Sequence, residues 1–225
     1  MHTSSNVAAI LLIIGAMSAA DARADLVAFD FSGSLHNVSG YATNQDFGFE
    51  FSPITDLRVT TLLVWDSGGD DFGTFDADVA IWDVANPSAP VVAGSITTAG
   101  SPTQPSASPS LGVWRVVDVP DTILTGGATY RLAADGFLDS DYGRATNLTL
   151  LLNGITLSSP NPGVQSLPES SWAPGPEYPN EVDPAIWATA SFTYTAVPEP
   201  GAFWLVGLVC VGAKVGQFLR RPSRF

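Results

Sequence analysis

The sequence predicts an all-β protein: an antiparallel β-sandwich of jelly-roll-like topology between an N-terminal signal peptide and one C-terminal transmembrane helix. Three observations predict the sandwich. Phe47, Phe49 and Phe51 alternate with Gly48 and Glu50, and Val113, Arg115, Val117 and Val119 alternate with Trp114, Val116 and Asp118. A period of two marks strands with two unlike faces. Gly, Pro, Asp and Ser punctuate these segments at short intervals, as in sandwiches and unlike βαβ units. No stretch of the body keeps a convincing period of 3.6.

Taken in order, the first element is a leader. Residues 7–20 form an apolar run, and Ala22-Arg23-Ala24 makes an A-x-A site, so cleavage is expected after Ala24. A cut after Ala20, using Ser18-Ala19-Ala20, is the alternative, and an uncleaved anchor is the competing reading of the whole segment. The n-region holds His2 and neither Lys nor Arg. The body, residues 25–196, has the length of one domain. Strands are expected at 26–31, 47–51, 57–65, 78–84, 91–98, 113–119, 129–133, 147–152 and 187–195. Residues 100–110 read as a Pro/Ser-rich loop. Residues 158–184 hold seven prolines and read as a long polyproline-like excursion that covers a sheet edge or is an inserted loop.

The body is strongly acidic. Arg58, Arg115, Arg131 and Arg144 face 20 acidic residues, a formal net charge of −16. Such a surface repels nucleic acid and favours divalent cations. The body has no lysine and no cysteine, and Cys210, the one thiol, falls in the C-terminal apolar run. A disulfide framework and thiolate chemistry are therefore excluded.

Asp66, Asp70, Asp71, Asp76 and Asp78 crowd between two expected strands, interleaved with Gly68, Gly69 and Gly73. Calcium takes six to eight oxygens at roughly 2.3–2.6 Å, and a flexible carboxylate loop can supply them. Calcium is thus the candidate cofactor. The alternative is a solvated hairpin loop whose Asp and Gly serve turn geometry. Asp135, Asp139 and Asp141 form a second small cluster, expected at the same end. Enzymatic signatures are lacking. His36 is the one histidine of the body, no nucleophile-elbow pattern accompanies the serines, and no carboxylate pair stands out for glycoside hydrolysis. Asn37-Val38-Ser39 and Asn147-Leu148-Thr149 match glycosylation sequons, a pattern short enough to arise by chance.

The final segment has three parts: Val197-Pro198-Glu199-Pro200, an apolar run, and Arg220-Arg221 with Arg224. Proline holds its own φ and biases the residue before it toward extended backbone, so the tetrapeptide offers an extended strand to an enzyme. Residues 202–219 as a helix would span about 27 Å, close to a hydrocarbon core of about 30 Å. Lys214 interrupts the run but lies near enough to Arg220 to snorkel. A buried core helix is the competing reading, which the basic stop and the Pro-Glu-Pro entry oppose. The charge asymmetry predicts the body outside and the arginines in the cytoplasm.

This tripartite pattern resembles the PEP-CTERM sorting signal of exported proteins of Gram-negative bacteria, although Lys214 breaks a segment that is usually uninterrupted in that family. The resemblance implies that Val197, Pro198, Glu199 and Pro200 are recognised and processed by an exosortase, a membrane transpeptidase. It implies an anchor at about 202–219 and cytoplasmic retention by Arg220, Arg221 and Arg224. Cell surface or extracellular matrix is the implied destination, with exopolysaccharide as a candidate partner. The body itself is similar to β-sandwich modules of unknown function that occur with such tails. Gly48-Phe49-Glu50-Phe51, residues 62–66 with Gly68-Gly69-Asp70, residues 79–83, Trp114-Arg115 and the strand at Tyr130 carry that likeness. It implies a fold and no activity.

Two function classes follow. One is a non-enzymatic surface or matrix protein. The other is a carbohydrate-binding module, in which Trp65, Trp82, Trp114, Trp172 or Trp187 offers a flat face to sugars. A tryptophan within a strand is more often core than platform, which singles out Trp172 in the proline-rich stretch.

Overall fold

The structure, a computed structural model, describes residues 25–37, 46–70, 72, 76–97, 101–135, 143–158, 162–165, 178–183 and 187–198. The described chain is all β. Its strands are β1 (Leu26–Val27), β2 (Phe29–Asn37), β3 (Phe47–Pro53), β4 (Leu57–Ser67), β5 (Ala77–Asp83), β6 (Val92–Ile96) and β7 (Thr103–Pro105). They continue with β8 (Gly112–Leu124), β9 (Tyr130–Ala134), β10 (Gly143–Leu152), β11 (Ile155–Leu157), β12 (Gly163–Gln165), β13 (Glu181–Asp183) and β14 (Ala190–Ala196). Every pairing is antiparallel.

The pairs are nested about one hairpin. β5 pairs with β6, β4 with β8, β3 with β9, and β1 with β14. Successive strands of this nest fall in alternate sheets. One sheet runs β1-β14-β4-β8-β7, and the other runs β13-β12-β3-β9-β5-β6 with β11 also on β3. β2 and β10 form a separate two-stranded ribbon.

The alternation in β3 explains the core. Phe47, Phe49 and Phe51 are buried and meet Trp187, Phe29 and Phe192 at ring-centroid distances of 4.4, 4.7 and 5.4 Å. The intervening Gly48 faces the other way, where an added Cβ would collide with the Leu132 carbonyl oxygen. Trp65 and Trp114 are direct cross-strand partners and therefore share a face of the β4–β8 ladder, with rings 5.2 Å apart. Phe31 of the ribbon packs on both, at 4.6 and 5.9 Å.

The ribbon is fastened at two places. Phe29 N–H donates to Ser191 Oγ, and that hydroxyl donates to Phe29 O, which fixes the ribbon to β14. Asp30 accepts from Ala107 N–H and Trp114 Nε1–H, while Ser108 Oγ donates to Phe31 O. These bonds explain why Asp30, a charged residue in an apolar strand, interrupts the pattern there.

Candidate functional site

The acidic turn grows out of the end of β4. Gly68 and Gly69 take φ of 86° and 73°, a left-handed conformation that residues with a Cβ adopt at a cost. Gly68 N–H donates to Leu111 O, so the chain leaves the ladder here. Asp66 does not join the turn. It is fully buried, and its Oδ2 accepts Arg115 Nε at 2.7 Å and Nη2 at 2.6 Å. Asp66 and Arg115 lie on the face opposite Trp65 and Trp114, since neighbours in a strand alternate. Val117 shares that face and packs toward Gly94 of β6 in the other sheet, so the ion pair is interior.

Of the five aspartates expected to gather around a cation, Asp66 has its carboxylate oxygen Oδ2 on Arg115. Asp70 and Asp76 are exposed, Asp78 is half-buried, and Asp71 lies outside the described residues. Among the described residues, no three His, Cys, Asp or Glu side chains converge as a metal would require.

Asp78 instead meets Asp135. Asp78 N–H donates to Asp135 Oδ1 at 2.9 Å, and Asp135 N–H donates to Asp78 O at 2.9 Å. The two acidic clusters therefore do share an end at this pair, while Asp139 and Asp141 lie outside the described residues. Burial raises the Asp135 carboxyl from its ordinary 3.8 to about 6, the backbone N–H of Asp78 holds it down, and the Asp78 charge adds to the rise.

The tryptophans are mostly interior. Trp65, Trp114 and Trp187 have no exposed surface, and Trp172 lies outside the described residues. Trp82 points to the outer face of its sheet yet is only 2 % exposed, because Tyr178 packs on it at 6.2 Å. Arg131 stands 5.1 Å over the Tyr178 ring, donates from Nη1 to Pro179 O, and pairs through Nε with Glu50 at 2.9 Å. The proline-rich excursion therefore crosses a sheet face as well as adding β12 and β13 to the β3 edge. An open cleft of about 520 Å³ between β6 and β8 is lined by Ser95, Thr97, Ser101, Pro102, Val116, Val117 and Asp118. No aromatic ring lines it, so it lacks a face on which a sugar could stack. His36 pairs with Arg144 in the β2–β10 ladder.

The two ends of the body meet. Leu26 stands opposite Tyr194 in the β1–β14 ladder, and Asp25 accepts a hydrogen bond from Thr60 Oγ1 at 2.9 Å. β14 stays paired with β4 through Ala196 opposite Leu57, and Val197 N–H donates to Asp56 O at 3.1 Å. Pro198 is exposed. The leader (1–24), Glu199, Pro200, the apolar run, Arg220, Arg221 and Arg224 lie outside the described residues. Among the described residues, no helix is long and apolar enough to cross a membrane. Sequence reasoning missed the pairing of Leu26 with Tyr194, because no local signal links residues so far apart. No protein-family model matches the chain, and no curated protein matches it.

Proposed function

We propose that the chain is an exported, non-enzymatic surface or extracellular-matrix protein that an exosortase-type membrane enzyme sorts through Val197, Pro198, Glu199 and Pro200. In this reading residues 202–219 hold it in the inner membrane until processing, and exopolysaccharide is its candidate partner outside. The body is read as a jelly-roll-like β-sandwich. The nested pairs β1·β14, β3·β9, β4·β8 and β5·β6, divided between two sheets, support that topology.

One observation carries the reading. Leu26, two residues after the expected leader cut, pairs with Tyr194 of β14, and β14 stays paired with β4 up to Ala196, the residue before the sorting motif. A leader and an anchor attached there both leave from one corner, as two segments entering the same membrane require. A carbohydrate-binding module is the weaker alternative, since Trp65, Trp114 and Trp187 are packed inside, Tyr178 covers Trp82, and only Trp172 remains for it.

Intact-mass analysis of protein taken from the native cell surface tests the reading. The expected species starts at Asp25 and ends within residues 197–200. A main product that keeps Met1 overturns the leader, and one that keeps Phe225 overturns the processing.

A further inference from the structure

Seven described residues are exposed large hydrophobics, and four of them lie at one end of the body: Leu26, Ile54, Val91 and Ile123, each 41–63 % exposed. Leu151 and Leu152 stand on the ribbon opposite Asp30 and Phe29, away from that end. The topology explains the gathering. Leu57 at the start of β4 pairs with Ala196 near the end of β14 and with Leu124 at the end of β8. Leu26 opens β1 beside β14, and Ile54 sits in the turn between β3 and β4. Ile54 N–H donates to Gly154 O, and Gly127 N–H donates to Pro53 O, which ties the turns after β10 and β8 to the same rim. Val91 enters β6 where β5 ends. The seventh residue, Val182, lies on β13, which joins the sheet at the opposite half of β3.

We infer that this rim is a membrane-contacting surface, which rests its apolar side chains in the interfacial layer of the bilayer that holds the anchor. The inference rests on the anchor reading above. The chain outside the structure argues for it. Four residues, 198–201, separate Val197 from the apolar run. Fully extended, they reach about 14 Å, so Val197 cannot stand farther than that from the membrane boundary.

Both ends of the body are acidic, with Asp70, Asp76 and the Asp78–Asp135 pair at the far end and Asp25, Asp56, Asp83 and Asp121 near the rim, so apolar contact and not charge holds the rim to the bilayer. Asp121 pairs with Arg58 at 3.1 Å, Asp56 accepts Gly126 N–H, Asp25 accepts Thr60 Oγ1–H, and Asp83 accepts Ala85 N–H. An amphipathic surface of this kind buries its apolar side chains in the boundary between headgroups and acyl chains.

The test uses the full chain with Cys210→Ser and one new cysteine, at Ile54, Ile123, Val182 or Asp70, labelled with an environment-sensitive fluorophore. All four sites are exposed, so the fold tolerates the label. The chain is reconstituted in phosphatidylcholine vesicles containing a minor share of phosphatidylglycerol, with nitroxide quenchers on the acyl chains. Quenching at positions 54 and 123 is expected to exceed that at 182 and 70 by at least about twofold, as interfacial burial requires. Position 182 separates location from apolarity, because it is equally apolar and far from the rim. If the chain resists alkaline carbonate but positions 54 and 123 quench no more than 182 and 70, the rim is overturned alone. If carbonate releases the chain, the anchor reading falls and the rim with it.

Discussion

Asp135 and Asp78 exchange two hydrogen bonds across the ends of β9 and β5, with the Asp135 carboxylate as acceptor of one of them. Burial makes that carboxylate costly to ionise, and its value of about 6 lies above the 3.8 of an ordinary aspartate. Between these two values the folded chain binds more protons at this site than the unfolded chain. The stability that Asp135 contributes is therefore fully present below pH 3.8 and is lost as pH rises through about 6. Asp135→Asn keeps an oxygen for the Asp78 N–H and removes the charge. The variant is expected to gain on the wild type by on the order of 2–3 kcal/mol as pH rises across that window. Thermal melts of both proteins between acid and neutral pH check this, and a difference that does not change with pH sinks it.

A second prediction concerns the Asp66–Arg115 pair. Arg115→Met leaves a buried carboxylate without its guanidinium, which costs about 3–5 kcal/mol where a buried pair is broken from one side. Asp66→Leu combined with Arg115→Met removes both charges at once and is expected to recover more than half of that loss. Urea denaturation of the two singles and the double gives the coupling. A loss of under about 1 kcal/mol for Arg115→Met, the size typical of surface pairs, means that the pair is not buried in solution.

The reach of sequence reasoning differed between residues for physical reasons. The alternation in residues 47–51 was legible because one face of β3 is entirely core and the other carries Gly48 and Glu50. The acidic turn was legible as a turn, since Gly68 and Gly69 adopt positive φ. Its composition was not legible, because what removes Asp66 from it is Arg115, 49 residues away. β12 and β13 have three residues each inside a proline-rich stretch, too short for any periodicity to register. Trp82 sits on an outer face, and only the approach of Tyr178 makes it buried. The nesting of pairs around β5 and β6 is a property of long-range register, to which local pattern is blind.

The charge asymmetry of the tail gives a third prediction, on topology. A phosphatase fused after Thr195 is expected to be active in the periplasm, and one fused after Phe225 inactive, because Arg220, Arg221 and Arg224 remain in the cytoplasm. Changing Arg220 and Arg221 to Glu is expected to impair membrane retention more than the same change at Arg224, which lies farther from the apolar run. The reverse pattern of phosphatase activity overturns the layout.

The last prediction addresses the segment that crosses the outer sheet face. Tyr178 shields Trp82 with ring centroids 6.2 Å apart, and Arg131 stands over the same tyrosine at 5.1 Å. An aromatic pair contributes about 0.5–1.5 kcal/mol beyond burial, and an Arg–aromatic contact adds about 0.5–1 kcal/mol. Tyr178→Ala is therefore expected to cost about 2 kcal/mol. It also uncovers Trp82, while Trp65, Trp114 and Trp187 stay in the core. The emission of the folded protein should shift to the red and become more accessible to iodide, and Trp82→Phe in the same background should abolish both changes. Tyr178→Phe retains the ring and should behave as wild type, which separates packing from the hydroxyl. If Tyr178→Ala leaves emission and quenching unchanged, Tyr178 does not cover Trp82 in solution, and the proline-rich segment is not fastened to this face.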